Sequence, residues 1–147
     1  MLTQKEADTL IEMLKHIQDS DTSLMFPAPG YAEKLFLQSE DGKNEFIVDI
    51  NRRGYINISK KCTYQGRYQK SIVLLRLDVG GAEHTNPDGT IVSENHIHVY
   101  KEGFGDKWAY ELPKEFVHPD DLVQTTIDFL KYFNTQNADS LGIQTVI

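Results

Sequence analysis

The stretch SIVLLRLDV, residues 71–79, contains the longest uninterrupted apolar run of the chain, from Ile72 to Leu75. Its apolar side chains alternate onto both faces of an extended backbone, which is typical of a strand that lies centrally in a sheet. Earlier stretches with a period of two predict strands over residues 33–38, 45–51 and 55–59. Asp41-Gly42 and Arg53-Gly54 favour tight hairpins, and connections this short leave no room for crossover helices. The sequence therefore predicts an antiparallel meander.

A second hairpin follows a long connecting loop. Residues 96–100 and 107–112 have the alternation of strands, and glycines lie between them. Alternation places His96 and His98 on one face of the first of these strands. The loop before the hairpin, residues 80–95, is unusually long, and loops of this length often carry function.

Helices are predicted at both ends of the chain. Thr3 precedes Glu6 by three residues, which is the spacing of a capping box, and apolar residues at helical spacing extend the predicted helix over residues 4–18. A proline and two aspartates begin a second apolar stripe near the other end. We therefore predict an α+β fold in which an antiparallel sheet of about six strands is flanked by an N-terminal and a C-terminal helix. A single globular domain spans residues 1–147, with a tail after about residue 137 that is mobile or adds a short strand.

Length and composition limit the class of protein. With 147 residues, 39% of them hydrophobic, the chain is long enough for one compact domain. Its longest apolar run is far shorter than the roughly 20 residues that cross a bilayer, and no secretion signal opens the chain, so no membrane partner is expected. Cys62 is the only cysteine and cannot form an internal disulfide. This fits a reducing compartment, and we expect a cytoplasmic protein.

The charge is unevenly distributed along the chain. The formal net charge is −7, but residues 52–76 contain seven basic and no acidic side chains, which leaves −14 (−7 less +7) for the remainder. Such a basic interval predicts a local nucleic-acid-binding face, with single-stranded RNA as the expected partner. Tyrosines near it are expected to stack on exposed bases. The predicted nucleic-acid contacts are Arg52, Arg53, Lys61, Tyr64, Arg67, Tyr68, Lys70 and Tyr100.

The motif His96-x-His98 indicates acid–base chemistry. Both imidazoles of such a motif point the same way in a strand, and histidine gains and loses a proton near neutral pH. One ring can remove a proton from a nucleophile while the other supplies a proton to a leaving group, as RNA cleavage through its 2′-hydroxyl requires. Arg76 and Lys60 are predicted to stabilise the phosphorane. The first hypothesis is a metal-independent endoribonuclease of the toxin-like kind, which needs no cofactor.

The same histidines also suit a metal ion. Neutral imidazoles two residues apart in a strand are good ligands for one ion. His84 and Glu102 are the first candidates to complete a site with His96 and His98, and Glu94 or His118 are further ones. A histidine-ligated metal-binding protein is therefore a further hypothesis, the last of three in rank.

Several blocks of the chain resemble an uncharacterised family of small bacterial and prophage proteins. These blocks are LTQKEAD at residues 2–8, HTNPDG at 84–89, HIHVYKEGFGDKWAYELP at 96–113 and DLVQTTIDFL at 121–130. The resemblance covers nearly the whole chain, and by analogy it implies a mobile-element setting of toxin-type ribonucleases and anti-defence inhibitors. A non-catalytic phage- or toxin–antitoxin-associated inhibitor is the second hypothesis in rank, and the acidic remainder of the chain would bind its partner. Its partner would be an antitoxin, a defence component or another protein that handles nucleic acid.

A partial similarity to the cupins concerns the metal hypothesis alone. The motif His96-x-His98 with Glu102 resembles the first cupin metal-binding motif, and residues 113–118 are loosely similar to the second. Ala109 stands where the first motif has glycine, and helices at both ends of the chain do not suit a jelly roll.

Overall fold

A seven-stranded antiparallel sheet forms the centre of the computed structural model, which describes residues 1–18, 23–54 and 60–145. The helices are α1 (Gln4–Glu12) and α2 (Leu122–Tyr132), and a short 3₁₀ turn covers Ala138–Ser140. The strands are β1 (Lys15–Ile17), β2 (Ser23–Phe26), β3 (Ala32–Ser39), β4 (Glu45–Asn51), β5 (Cys62–Tyr68), β6 (Ile72–Val79), β7 (His84–Thr85), β8 (Ile91–Val92), β9 (His96–Val99), β10 (Ala109–Glu111) and β11 (Gly142–Thr145).

The topology confirms the predicted α+β class with a meander sheet. The strand order is β1-β3-β4-β5-β6-β9-β10, and each neighbouring pair runs antiparallel. Two small pairs lie outside this sheet: β7 with β8, antiparallel, and β11 with β2, parallel. The predicted strand over residues 55–59 lies outside the described residues.

The two faces of the sheet differ because side chains alternate along each strand. Apolar side chains of β3, β4, β5, β6 and β9 point to one face, where they join a single core with side chains from both helices. Tyr64 of β5 stacks on Phe129 of α2 with ring centroids 5.9 Å apart, and its hydroxyl donates a hydrogen bond of 2.6 Å to the Leu122 carbonyl. The polar side chains of the same strands occupy the other face, which is where the candidate site lies.

The first helix is shorter than predicted. It ends at Glu12 instead of residue 18, because the chain turns to form β1 against β3. Lys15 is fully buried, and its ammonium donates to the carbonyls of Ile11, Met13 and Phe133 at 2.8–2.9 Å. Ile11 and Met13 lie at the end of α1 and Phe133 lies at the end of α2, so these bonds satisfy carbonyls that the two helix ends leave free.

The segment after residue 137 contains a short strand, which was one of the two alternatives predicted for it. Residues of β11 pair in register with β2, from Gly142 opposite Ser23 to Thr145 opposite Phe26. The strand β5 was not predicted, since its apolar positions are few and basic residues surround it.

Candidate metal centre

Strands β6 and β9 bring four polar side chains to one spot on the open face of the sheet. They pair antiparallel, with Arg76 opposite His98 and Asp78 opposite His96. A period of two places both members of each strand on the same face, so the four side chains form one square of neighbours. The predicted juxtaposition of Arg76 with the histidine pair is therefore present.

A third imidazole completes the cluster from another element. His84 of β7 lies against both strand histidines, with its ring centroid 4.6 Å from that of His98 and 5.6 Å from that of His96. The rings of His96 and His98 are 4.9 Å apart. One nitrogen from each of the three rings lies within 4.8 Å of the others, and among the described residues this is the only such group of His, Cys, Asp or Glu.

Backbone carbonyls fix the protons on these rings. His96 Nδ1 lies 2.6 Å from the Ser93 carbonyl, His98 Nδ1 lies 2.8 Å from the Asp106 carbonyl, and His84 Nε2 lies 2.9 Å from the Lys107 carbonyl. A carbonyl oxygen only accepts hydrogen bonds, so each of these nitrogens carries the proton. The other nitrogen of a neutral ring then has a free lone pair. Ligand histidines in metal sites characteristically have this second hydrogen bond.

Asp78 supplies negative charge to the cluster. Its Oδ2 lies 3.2 Å from both His96 Nε2 and His98 Nε2, and its Oδ1 accepts a bond of 2.9 Å from the Thr63 hydroxyl. Burial on its own would raise the pKa of this carboxyl, but the contacts with His96 and His98, the charge of Arg76 and the hydrogen bond from Thr63 outweigh it and hold the pKa far below the usual range. Asp78 is therefore a carboxylate at neutral pH.

The same carboxylate affects His96. Burial lowers the pKa of the His96 imidazole, but hydrogen bonds to Asp78 and to the Ser93 carbonyl outweigh burial and raise it overall. A proton and a metal ion compete for the same lone pair on Nε2, since the Nδ1 nitrogen is already protonated.

Arg76 borders the histidine cluster and contacts one of its imidazoles. Its Nη2 lies 2.9 Å from His98 Nε2, its Nη1 lies 2.8 Å from Asp106 Oδ2, and its Nε lies 3.4 Å from Asp78 Oδ2. The Nε atom is buried and has no well-formed hydrogen bond to any described group. Two carboxylates thus hold this guanidinium beside the histidines.

A cavity of about 410 Å³ opens directly onto the site. It is large enough for a small ligand. Its lining residues are Thr63, Arg76, Asp78, Val79, Gly81, Ala82, Glu83, His84 and His96. His98 lies beneath, with its side chain fully buried. The arrangement can present a bound ion, through an open position, to a molecule in the cavity.

Other predicted site residues lie elsewhere. Lys60 is exposed, and its ammonium is 3.6 Å from a carboxylate oxygen of Asp120. Glu102 accepts a hydrogen bond of 2.7 Å from the backbone N–H of Gln4, at the start of α1, and is not part of the histidine group. The metal set that included Glu102 is corrected accordingly.

The predicted basic face is divided among different environments. Arg67 forms a two-pronged ion pair with Asp49, at 2.6 and 3.0 Å, on another part of the open face. Arg52 is buried and donates to the carbonyls of Lys61 and Pro27. Arg53 and Lys70 are exposed, and Lys61 is partly buried. Burial and ion pairing therefore place these cations in different environments.

Two of the three tyrosines predicted to stack on bases belong to the core. Tyr64 is fully buried. Tyr100 is 6% exposed, and its hydroxyl donates a hydrogen bond of 2.6 Å to the Leu2 carbonyl. Neither ring offers a face to a base, which corrects that expectation. Tyr68 is partly buried, and its hydroxyl donates to Asn44 Oδ1 at 3.1 Å.

Asp78 and Asp106 were missed from the sequence. Asp78 follows Arg76 by two residues in a predicted strand, so alternation already places both on one face. The signal that pairs them with the histidines is the register between β6 and β9, which the sequence pattern leaves open.

Fold and site together define an α+β protein with a three-histidine cluster on the open face of an antiparallel sheet. The chain belongs to the Family of unknown function (DUF6978), whose model matches residues 2–135. This agrees with the resemblance to an uncharacterised family found in the sequence. No curated protein and no solved structure gives a significant match. Within the described part of the chain, neither helix has the length and hydrophobicity of a membrane-spanning segment.

Proposed function

We propose that this protein binds a divalent transition-metal ion of the zinc type through His84, His96 and His98. The observation that carries the proposal is the set of three backbone carbonyls that accept one N–H from each imidazole. Each ring in its neutral form therefore keeps one nitrogen for an ion, and one nitrogen of each ring lies within 4.8 Å of the others. Imidazole nitrogens are ligands that zinc, copper, nickel and iron accept.

The charge and spacing of Asp78 support the same proposal. Ligand atoms about 2.0–2.1 Å from a tetrahedral zinc lie about 3.3 Å apart. The contacts of Asp78 Oδ2 with His96 Nε2 and His98 Nε2, both 3.2 Å, match that separation. The carboxylate is therefore close enough to the two imidazoles to neutralise part of the charge of an ion that they hold.

The chemistry that follows is hydrolytic. An ion that His84, His96 and His98 held would supply this chemistry, because it would lower the pKa of a water molecule and polarise an oxygen of a ligand. This protein's residues would hold the ion, fix the orientation of the rings and shape the cavity. We therefore propose a metal-dependent hydrolase.

Calorimetric titration with Zn²⁺ tests the proposal. We expect one ion per chain for the wild type and at least a hundredfold weaker binding for His84→Ala, whose side chain is only partly buried. His118→Ala is the matched control, because His118 is exposed and lies outside the cluster. Equal affinity in the two variants, or no uptake by the folded wild type, overturns the proposal.

A metal-independent ribonuclease is the second candidate, and one observation favours it. Arg76, predicted to stabilise a phosphorane, lies 2.9 Å from His98 Nε2, and both Arg76 and His96 line the cavity. Against it, Asp78 contacts the Nε2 atoms of both histidines, and His98 has no exposed surface.

Cleavage of labelled single-stranded RNA separates the two candidates. Activity that persists in EDTA, that His98→Ala abolishes and that His84→Ala leaves intact supports the ribonuclease, because that mechanism does not use His84. Activity that requires added Zn²⁺ or Mn²⁺ and is lost in both variants supports the metal centre. The non-catalytic inhibitor stays a prediction, and under that hypothesis we expect no RNA cleavage with or without a metal ion.

A further inference from the structure

The Arg76 guanidinium and a metal ion would use the same lone pair. Its Nη2 donates to His98 Nε2 over 2.9 Å, and that nitrogen is the free one of the ring, since Nδ1 is protonated toward the Asp106 carbonyl. A lone pair given to an ion no longer accepts a hydrogen bond. Binding of the ion therefore takes the acceptor away from Nη2.

Arg76 would not leave the site when that bond breaks. Its Nη1 keeps the 2.8 Å bond to Asp106 Oδ2, which is independent of the histidines. The guanidinium would then have an Nη2 without its acceptor and an Nε that already has no well-formed acceptor among the described groups. Both donors belong to a side chain that lines the cavity together with His84 and His96, two of the proposed ligands.

From these positions we infer that the ligand of the metal centre is an oxyanion, which bridges the ion and Arg76. The inference rests on the proposed metal site. A guanidinium beside a divalent cation favours a ligand with two or more anionic oxygens, one for the ion and one or more for the Arg fork. Phosphate groups and carboxylates share this chemistry. A ligand without acceptor oxygens would leave the Arg76 donors unpaired in a partly buried place, which is costly, and an anionic oxygen pairs with a guanidinium more strongly than a neutral one.

Cobalt-loaded protein provides the test, since the visible absorption of Co²⁺ responds to changes in its ligands. We would titrate it separately with inorganic phosphate and with acetate, for the wild type, Arg76→Gln and Arg76→Lys. Arg67→Gln is the matched control, because Arg67 is also paired with an aspartate on this face of the sheet but lies outside the cluster.

We expect a spectral change with at least one anion, and a half-saturation concentration about tenfold higher or more in Arg76→Gln, the loss typical of a charge-assisted hydrogen bond. The half-saturation concentration of Arg76→Lys should lie between those of the wild type and Arg76→Gln, and that of Arg67→Gln should equal the wild-type value. Because Arg76→Gln removes the cation that competes for His98 Nε2, this variant should bind Co²⁺ as tightly as the wild type or more tightly. A response to phosphate alone assigns phosphate ligands, and a response to acetate alone assigns carboxylates.

Two failures can be told apart. Wild-type protein that takes up no Co²⁺ removes the metal centre and this inference with it. Protein that binds Co²⁺ but responds to neither anion, or responds equally in Arg76→Gln and the wild type, overturns the oxyanion ligand and leaves the metal centre intact.

Discussion

A carbonyl oxygen beside each clustered imidazole decides what that ring can do. The acceptors are the backbone groups of Ser93, Asp106 and Lys107, so no side-chain substitution removes them directly. They fix ring orientation and tautomer before any ligand arrives, which lowers the cost of ordering the site. The carboxylate of Asp78, by contrast, belongs to a side chain and can be changed by substitution.

Asp78→Asn should weaken metal binding by about 10- to 100-fold, the usual effect of losing a carboxylate that supports ligand histidines. The amide keeps the shape of the side chain but removes the charge opposite His96 and His98. Competition with a metal-binding dye measures the change. Thr63→Val is a control for the hydrogen bond to Oδ1 alone and should have a smaller effect. Unchanged affinity in Asp78→Asn would contradict this role.

Lys15 gives a prediction on pH. Burial lowers the pKa of Lys15 to about 7, below its ordinary value near 10.4. Between these values the unfolded chain binds a proton that the folded chain has released, so stability rises with pH, by up to about 1.4 kcal/mol per unit from this residue. The contribution is complete above the ordinary pKa and is lost as pH falls through about 7.

Urea unfolding at pH 7, 8 and 9 measures this contribution. As the pH rises from 7 to 9, the free energy of unfolding should increase more for the wild type than for Lys15→Met. Met removes the titrating amine, although it also leaves three carbonyls without their donor, which lowers stability at every pH. Parallel pH dependence in the two proteins is the result that we do not expect.

Much of the site could be predicted from single residues, but its completion could not. The pattern His96-x-His98 was enough to place two imidazoles together, and Arg76 was named beside them. His84 was only one of several candidates for the third ligand, because a loop of this length has no period that fixes where its side chains point. Asp106 lies in the turn before β10 and had no motif to indicate it.

At the scale of elements, contact between β5 and α2 depends on one glycine. A Cβ at Gly66 would lie 2.9 Å from ring carbons of Phe133, whose side chain is fully buried. The register between β5 and β6 also shifts at Gly66 and Arg67. The missing side chain lets an aromatic ring of the helical layer lie directly on the strand.

Gly66→Ala should therefore cost about 1–3 kcal/mol in the free energy of unfolding, the usual cost of overpacking a core. Gly81→Ala is the matched control, since its Cβ would meet nothing within 4 Å and its backbone is not left-handed. It should change stability by less than about 0.5 kcal/mol. Chemical denaturation of both variants is the measurement, and equal stability would show that the ring can move aside.

Strands with a strong period of two were predicted well, and weak or ambiguous segments were not. The patterns of β3, β4, β6, β9 and β10 contain enough apolar or alternating residues to indicate an extended chain. In β5 the inward positions are Cys62, Tyr64, Gly66 and Tyr68, a weak apolar signal beside outward polar residues. The apolar residues after α1 fit the pattern of a helix as well as that of a strand. In the structure Lys15–Ile17 form β1 and pair with β3, and Lys15 is buried there.

At the scale of the whole molecule, the metal centre joins the small β7–β8 pair to the main sheet. His84 comes from β7, outside the main sheet, while His96 and His98 belong to β9 within it. An ion bound by all three would connect the long loop to the sheet. Ligands that bind only the folded chain stabilise it by mass action.

Zn²⁺ at a hundredfold excess over its Kd should raise the free energy of unfolding by about 2.7 kcal/mol. For a chain of 147 residues this corresponds to an increase in Tm of several degrees, on the order of 5–10 °C. Thermal unfolding with Zn²⁺ and with EDTA measures it. His84→Ala should lose the increase and His118→Ala should keep it. An equal increase in both variants would indicate binding elsewhere.

Anomalous diffraction at the zinc absorption edge, on crystals grown with Zn²⁺, tests the metal centre most directly. We predict one strong peak about 2.0–2.2 Å from a nitrogen of each of His84, His96 and His98, on the cavity side of the sheet. A peak at other residues only, or none between the three rings in crystals of the folded protein, would contradict the proposed site.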